Sequence, residues 1–193
     1  MSRRAAAVVL ALAALVAVLG GLWLARSRAA PAAPGAVSGE VEPPALASSP
    51  PEPRQVTLWL PSTGGQLGPL LVEVESAPEL ASRLAALLAA LLAAPSAGEL
   101  AAVFPAPVRA AALVVGADGT LYLDLRAEDG GPPPGAGSTL ETQRIYSIVH
   151  TVLRNEPRIE RVVLLWNGVQ RESLAGHVDT GRPLLLKPEL EAR

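Results

Sequence analysis

The sequence contains no cysteine and few histidines or aromatic residues. None of its 193 residues is cysteine, and it has two histidines, one phenylalanine and one methionine. The lack of cysteine excludes disulfide bonds, thiolate nucleophiles and cysteine-based zinc or iron–sulfur sites. The net charge of -2 gives no basic surface of the kind that binds nucleic acids, so no nucleic-acid partner is predicted. With so little material for a metal or haem pocket, we predict no metal site and no cofactor.

Charged residues are also missing from a long N-terminal segment. Residues 5–25 are uncharged and predominantly apolar, and arginines flank them on both sides. A helix of this length rises about 31 Å, which matches the hydrocarbon thickness of a bilayer. We therefore predict that residues 1–28 form a single-pass signal anchor in the cytoplasmic (inner) membrane. A cleaved signal peptide is the alternative, although the apolar stretch is longer than such peptides usually have.

The side of the membrane follows from the position of the segment. The flanking arginines are balanced, so the positive-inside rule does not set the orientation. The position at the very N-terminus is typical of export signals, so we predict an extracytoplasmic, periplasmic C-terminal domain. No cysteine follows the apolar stretch, which excludes a lipid anchor on cysteine.

A proline-rich segment separates the predicted anchor from the rest of the chain. Residues 29–54 are dense in proline and alanine and contain almost no large apolar side chain. Such a segment cannot bury enough surface to offset its ordering entropy, so we predict a disordered linker. The linker would hold the following domain, residues 55–190, at a distance from the membrane surface.

Residues 55–190 alternate between strand and helix patterns. A β-hairpin comes first, and two helix–strand–strand units follow it. This order predicts an α+β domain of two layers, a mixed sheet with helices on one face. The predicted strands are Val56–Leu60, Leu70–Glu75, Val108–Gly116, Thr120–Leu125, Ile159–Trp166 and a short last strand within Leu174–Leu186.

Both predicted helices begin with the same local pattern. Ser76 and Ser138 are each followed three residues later by a glutamate, Glu79 and Glu141, which predicts reciprocal capping. Leucines recur at helical spacing in the first helix, which Pro95 ends, and we assign them to the core. The apolar stripe of the second helix consists of Ile145, Ile148, Val149, Val152 and Leu153.

Two turns and one loop stand out among the connections. Asp118-Gly119 is a favoured two-residue hairpin turn, because both positions tolerate positive φ. Asn167-Gly168 predicts a second turn, after the strand Ile159–Trp166. Since that strand is apolar on successive residues, we predict that it is central and covered on both faces. Residues 128–137 are rich in glycine and proline and predict a long flexible loop.

The order of elements resembles the GerMN domain of the sporulation and spore-germination GerM family. The segments that carry the resemblance begin at Val56 (VTLWL), Glu79 (ELASRLAALLAALLAAP), Asp118 (DGTLYLDL), Gln143 (QRIYSIVHTVL), Glu156 (EPRIERVVLLWNG) and Ala175 (AGHVDTGRPLL). The resemblance implies a membrane-tethered, extracytoplasmic domain without a known enzymatic reaction. It also implies a fold related to the ring-building motifs of secretion-like and sporulation complexes. One departure is the PPPG-rich loop before the second helix.

Few polar residues are grouped in a way that suggests chemistry. Ser173, His177 and Asp179 have the residue types of a hydrolytic triad, but they lie on a predicted loop without the nucleophile turn. His150 falls off the apolar stripe of its helix, so we expect it in solvent or at a helix end. Glu73 and Glu75 share one strand face, which is typical of a solvated surface. We therefore predict no catalytic residue, with a polar site near His177 as the alternative, serving an envelope hydrolase or a ligand-binding domain.

The sequence thus predicts a non-catalytic protein-binding or assembly module of the cell envelope. The candidate interaction surfaces are the Asp118-Gly119 hairpin, the 128–137 loop and the segment around His177. The predicted partners are the membrane, through residues 5–25, and a protein of the envelope. Self-association into a homo-oligomer is left open.

Overall fold

A computed structural model describes residues 53–192 of the chain. The predicted anchor, residues 1–28, and almost all of the predicted linker, residues 29–54, lie outside the described residues, so both remain predictions. Within residues 53–192, neither helix combines the length and the apolar character needed to cross a bilayer. The elements in chain order are β1 (Pro53–Pro61), β2 (Leu67–Glu75), α1 (Leu80–Ala93), β3 (Val108–Val115), β4 (Thr120–Ala127), α2 (Ser138–Asn155), β5 (Arg161–Trp166) and a 3-10 turn (Pro188–Leu190).

The five strands form two small sheets. β1 and β2 pair antiparallel as a separate two-stranded sheet. In the second sheet, β4 pairs antiparallel with β3 and parallel with β5. The predicted α+β class is confirmed, and the three-stranded sheet is mixed as predicted. The opening hairpin does not join it, and the predicted last strand is reduced to one antiparallel bridge between Leu184 and Val162.

Side chains of α2 cover the edge of β1 that faces away from β2. Asn155 accepts a hydrogen bond from the Thr57 amide at 3.1 Å and donates one to the Thr57 carbonyl at 2.7 Å. One turn earlier on the helix, the Thr151 hydroxyl accepts a hydrogen bond from the Trp59 amide at 2.9 Å. The helix therefore satisfies backbone groups of β1 that would otherwise be an exposed strand edge.

Leucines and β-branched residues from both helices and both sheets fill one core. The leucine stripe of α1 is buried as predicted, except that Leu80 and Leu92 are only partly buried. The predicted apolar stripe of α2 is buried apart from Leu153, which is partly buried. Each buried leucine contributes about 1.5–3 kcal/mol relative to an exposed one, which is why α1 is stable as part of the domain. The leucines of α1 in this core are Leu84, Leu87, Leu88 and Leu91.

Neither helix uses the predicted capping box. Helix α1 begins at Leu80 with Glu79 in the cap position, and α2 begins at Ser138 with Gly137 there. Neither cap makes a side-chain hydrogen bond. Ser138 is already inside its helix, and the Glu141 carboxylate binds a distant loop instead. Tertiary hydrogen bonds have replaced the local ones that the spacing predicted.

The β3–β4 turn is longer than predicted. The Gly116 amide donates to the Thr120 carbonyl at 2.8 Å, so three residues form the loop. Only Gly119 has positive φ, at 74°, whereas Asp118 does not and instead accepts hydrogen bonds from the amide and hydroxyl of Thr120. A three-residue loop that ends in a left-handed glycine is the next most favoured hairpin form. In contrast, Asn167-Gly168 forms the predicted two-residue turn, with φ of 53° and 75°.

Strand β5 lies at one side of the three-stranded sheet, so the prediction that it is central is wrong. Strand β4 occupies the centre, and the far side of β5 carries the isolated bridge at Val162. Both faces of β5 are nevertheless covered, since Val163 on one face and Leu164 on the other are buried. The continuous apolar run of β5 therefore reflects burial of both faces of the strand. It does not require a neighbouring strand on each side.

A buried carboxylate joins three elements at one end of α2. Glu156, directly after the helix, is 2.6 Å from Arg54 of β1 and 3.0 Å from Arg83 of α1. Arg83 also donates to the carbonyl oxygens of Ala77 and Pro78, which precede α1. Burial alone would raise the pKa of Glu156, but the two guanidinium groups outweigh it and lower that pKa.

Candidate functional site

A second buried carboxylate, Glu141, organises the loop that contains the polar residues singled out in the sequence. Its Oε1 accepts hydrogen bonds from the Ser173 hydroxyl at 2.8 Å and the Ala175 amide at 2.7 Å. Its Oε2 accepts from the His177 amide at 2.7 Å and lies 3.0 Å from His177 Nδ1. One side chain from the first turn of α2 therefore fixes residues 173–177, which have no regular secondary structure.

The hydrogen bonds keep Glu141 ionised despite its burial. Burial alone would raise its pKa, but the donors from Ala175, Ser173 and His177 outweigh that effect, and the pKa lies below its ordinary value. The position in the first turn of α2 also favours a negative charge, because helix N-termini carry partial positive charge. An anionic Glu141 in turn places the proton of His177 on Nδ1 and leaves Nε2 as the nitrogen that can meet a ligand.

Ser173, His177 and Asp179 are close in the fold but do not form a triad. Ser173 and His177 each bind Glu141, and no hydrogen bond joins any two of the three residues. Asp179 pairs with Arg182 at 2.6 Å and accepts the Gly181 amide at 3.0 Å. A serine without a hydrogen bond to the base lacks the activation that acyl transfer needs.

His177 contributes to the walls of two open cavities. The first, about 590 Å³, runs between α2 and residues 177–187 and includes Thr142, Tyr146 and Lys187 in its wall. The second, about 610 Å³, is lined only by residues of the segment 172–182. The His177 side chain is 44% exposed, so its outer edge is accessible. We call the first cavity the His177 cleft.

The other histidine is fully buried, which contradicts the expectation of exposure or a helix end for His150. Its Nδ1 lies 2.9 Å from Glu191, and its Nε2 accepts the Lys187 amide at 3.2 Å. Burial lowers the pKa of His150, and the hydrogen bond to Glu191 opposes that effect only in part. Its ring packs edge-on against both Trp59 and Tyr146. His150 thus attaches the C-terminal segment to α2.

An open apolar surface lies on the strands of the predicted Asp118-Gly119 hairpin. Val114 of β3 and Tyr122 of β4 are paired across the strands, and they are 62% and 44% exposed. The alternate residues of β4 point to the core, as the period of two predicts. Arg126 and Arg161 lie on the same outer face, because they are an even number of residues from Tyr122 and from its β5 partner Val163. We call this surface the open sheet face.

The third candidate surface, the 128–137 loop, is fixed by several contacts. Buried Arg144 donates to the carbonyl oxygens of Pro134 and Gly135, and Trp166 Nε1 donates to Gly131 at 2.9 Å. Burial lowers the pKa of Arg144. The loop has no helix or strand, as predicted, but its carbonyls are used by core side chains, which makes it part of the scaffold.

No metal centre is formed within residues 53–192. That part of the chain holds no group of three or more histidine or acidic side chains with ligand geometry. Glu73 and Glu75 are exposed on β2, as a solvated strand face requires.

Local spacing in the sequence does not reveal the two buried glutamates. Glu141 was read as a capping residue and Glu156 only as part of a motif, because long-range partners such as Arg54 and Ser173 are invisible to local spacing. In the structure, Glu141 is buried on a helix whose start has no capping hydrogen bond. Burial of a carboxylate without a local partner requires a distant one.

Comparison with known proteins agrees with the fold. The family model Germane, described as sporulation and spore germination, matches residues 57–172, which is more than half of the chain. No curated protein matches the chain. The tandem GerMN domains of the sporulation protein GerM from Bacillus subtilis are similar in structure, with a TM-score of 0.50 and 19% identity, over 69% of this chain and 45% of that chain.

Two further solved structures are similar at slightly lower scores. The first GerMN domain of the same Bacillus subtilis protein gives a TM-score of 0.49 and 17% identity, over 70% of this chain and 98% of that chain. A Clostridium perfringens protein classed provisionally as a lipoprotein gives 0.49 and 20%, over 69% of this chain and 87% of that chain. The family model carries the assignment, and the α+β arrangement of two sheets and two helices agrees with it. The chain belongs to the Germane family of sporulation and spore germination, and residues 53–192 have the GerMN fold.

Proposed function

We propose that this chain is a membrane-anchored, extracytoplasmic module that binds a protein of the cell envelope and catalyses no reaction of its own. The open sheet face is the observation that carries the proposal. Val114 and Tyr122 are large apolar side chains that lie next to each other and remain exposed, although the domain has a complete core elsewhere. Exposed aromatic side chains in such a patch are typical of protein interfaces.

The charges around the patch indicate the chemistry of the partner. Arg126 and Arg161 border it, with side chains 43% and 36% exposed. Asp124 lies in the same row but is mostly covered and is paired with Arg126 at 3.7 Å. A partner with an apolar centre and an acidic border fits this arrangement, because complementary charges at a rim set orientation and association rate.

The satisfied hydrogen bonds around Glu141 support a role without catalysis. Ser173 and His177 bind the carboxylate, and Asp179 binds Arg182, so each candidate for chemistry has a partner that holds it in place. The arrangement provides no activated nucleophile. The enzyme alternative makes a definite claim: a reproducible turnover of a small substrate that disappears in His177→Ala would support it and overturn the non-catalytic role.

The location outside the cytoplasm is supported by the N-terminal sequence. Residues 5–25 match the length of a membrane span, and residues 29–54 have the composition of a tether. A tethered domain meets its partner at a raised effective concentration, so a modest patch is sufficient for binding within the envelope.

Photo-crosslinking of the full chain in membranes tests this function. A photoreactive residue in place of Tyr122 should give one defined crosslinked product, and Val114→Arg in the same chain should remove it. The matched control is Leu71→Arg, which changes an equally exposed leucine, 64%, on the other sheet and should leave the product unchanged. Loss of the product in both variants, or in neither, contradicts binding at the open sheet face. A product of twice the chain's mass would identify a second copy instead of a different protein.

A further inference from the structure

We propose that the His177 cleft binds a small anionic ligand through its carboxylate or phosphate group. The inference goes beyond protein binding at the open sheet face and does not depend on it. Three groups that can donate to an anion contribute to the wall of this cavity, the side chains of His177, Arg182 and Lys187. Its volume of about 590 Å³ is within the range of small-molecule sites.

His177 is held in one orientation before any ligand arrives. Glu141 binds both its amide and its Nδ1, at 2.7 and 3.0 Å. Because Glu141 is itself buried and held by Ser173 and Ala175, the imidazole cannot turn without breaking several hydrogen bonds. The accessible part of the ring therefore stays exposed, and Nε2 donates to an anion when the imidazole carries a proton on both nitrogens, a form that a neighbouring anion favours.

Lys187 is held at two points, unlike an ordinary surface lysine. Its amide donates to His150 Nε2 at 3.2 Å, and its ammonium nitrogen lies 4.8 Å from the centre of the Tyr146 ring. Tyr146 also lines the cavity, so the ammonium group lies at the wall. A cation that is already in place loses less side-chain entropy on binding than a mobile one.

Arg182 is the third group, and its side chain is 81% exposed. Its Nε donates to Asp179 at 2.7 Å and its Nη2 lies 2.6 Å from the same carboxylate oxygen. This pairing uses one side of the guanidinium group and leaves the Nη1 hydrogens for another acceptor. Asp179 offsets part of the charge, so the cleft selects a ligand with one or two negative charges over a long polyanion.

The three groups reach the cleft through unrelated contacts, and this is why the arrangement points to a ligand. His177 depends on α2 at Glu141, Lys187 depends on α2 at His150 and Tyr146, and Arg182 depends on its own turn. Asp179 pairs with one side of Arg182, and the Lys187 ammonium group lies against the Tyr146 ring, so both cations keep hydrogen-bond donors for a further acceptor. Charge-assisted hydrogen bonds to an anion would use these donors.

Nuclear magnetic resonance of the full chain in detergent, with labelled histidine, tests the inference. The sequence has only two histidines, so the spectrum contains two imidazole signals, and fully buried His150 serves as an internal reference. Acetate and inorganic phosphate are titrated separately, with chloride at matched ionic strength. We expect a saturable shift of the His177 signal that exceeds the shift of His150, and the tighter of the two anions identifies the preferred group.

Variants at the cleft separate binding from general ionic effects. Lys187→Ala keeps the backbone contact to His150, and Arg182→Ala leaves Asp179 bound to Gly181, so both should fold. Each variant should bind the anion about tenfold or more weakly than the parent chain, which is the loss expected for a hydrogen bond to a charged group. Arg158→Ala removes an exposed arginine that does not line the cavity and should change nothing. The same shift with chloride, or unchanged affinity in both cleft variants, would overturn the inference.

Discussion

Each end of α2 has a buried carboxylate, and the two carboxylates are stabilised by different kinds of partner. Glu141 in its first turn and Glu156 directly after its last residue are both buried, with 2% and 3% of their surface exposed. The pKa of each lies below its ordinary value because hydrogen bonds to the charged form outweigh burial. Glu156 is bound by two arginines, whereas Glu141 is bound by two backbone amides, a hydroxyl and an imidazole.

The direction of the helix explains the difference. The helix N-terminus carries partial positive charge and the C-terminus partial negative charge, so a carboxylate is favoured at one end and disfavoured at the other. Glu141 lies at the favourable end and needs only dipolar donors. Glu156 lies at the unfavourable end and requires the full charges of Arg54 and Arg83. At the C-terminal end of α2, the arginines of Glu156 join β1 and α1 to the helix. At the N-terminal end, the uncharged partners of Glu141 belong to the loop beside the open His177 cleft.

The largest effect on stability should come from removing an arginine that binds Glu156 at the C-terminal end of α2. Arg83→Ala removes the bidentate partner of Glu156 and leaves a buried carboxylate with Arg54 alone. Loss of one member of a buried ion pair destabilises a protein by about 3 kcal/mol, so the free energy of unfolding should fall by that order. Urea denaturation measures it, with Arg158→Ala, an exposed arginine, as the control. Equal stabilities of the two variants would show that Glu156 does not need a second cation.

A smaller and more local effect is expected at the other end. Glu141→Ala leaves the amides of Ala175 and His177 without their acceptor, which costs about 2 kcal/mol in total when water replaces part of the contact. The segment 173–177 should then lose its fixed shape while the sheets stay folded. Hydrogen exchange of these two amides is the measurement, and it should become much faster than in the parent chain.

The control for that experiment is Glu128→Ala, which removes an exposed carboxylate from the 128–137 loop. Exchange at Ala175 should remain slow there. If the Ala175 amide stays protected in Glu141→Ala as well, the loop is held by something other than the carboxylate, and the contrast between the two ends of α2 is lost.

Local patterns in the sequence were sufficient for most of the scaffold. Alternation in β4, the leucine repeat of α1 and the Asn167-Gly168 turn each depend on neighbours along the chain, and each appears where it was predicted. The longer loop at Asp118-Gly119 was missed because Asp118 binds Thr120 instead of adopting positive φ. The period of two cannot distinguish these turn types.

The candidate site was harder to predict because it depends on contacts between distant residues. His150 falls off the apolar stripe of its helix, which predicts a position in solvent or at a helix end, yet Glu191 and the Lys187 amide satisfy its two nitrogens in the interior. Glu141 matched a capping pattern, but its actual partners lie more than 30 residues away. Polar groups in a core are stable only when such partners exist, and no local pattern reveals them.

The smallest predicted effect concerns a third carboxylate that binds α2, that of Glu191 in the C-terminal segment, whose partner on the helix is His150. Burial lowers the pKa of His150, so the unfolded chain takes up its proton first, near the ordinary value of 6.5. Stability is therefore fully present above this pH and falls as the pH decreases toward the lowered value of the folded protein. The carboxylates of Glu141, Glu156 and Glu191 have lowered pKa values as well, and their contribution to stability is lost only below about pH 4.5.

Urea denaturation between pH 7.5 and 5 should show a shallow decrease in the free energy of unfolding, smaller than the effect of Arg83→Ala or Glu141→Ala. His150→Gln, which cannot titrate, should make that range flat. A decrease of the same size in His150→Gln would assign the pH dependence to another group and remove Glu191 from the comparison.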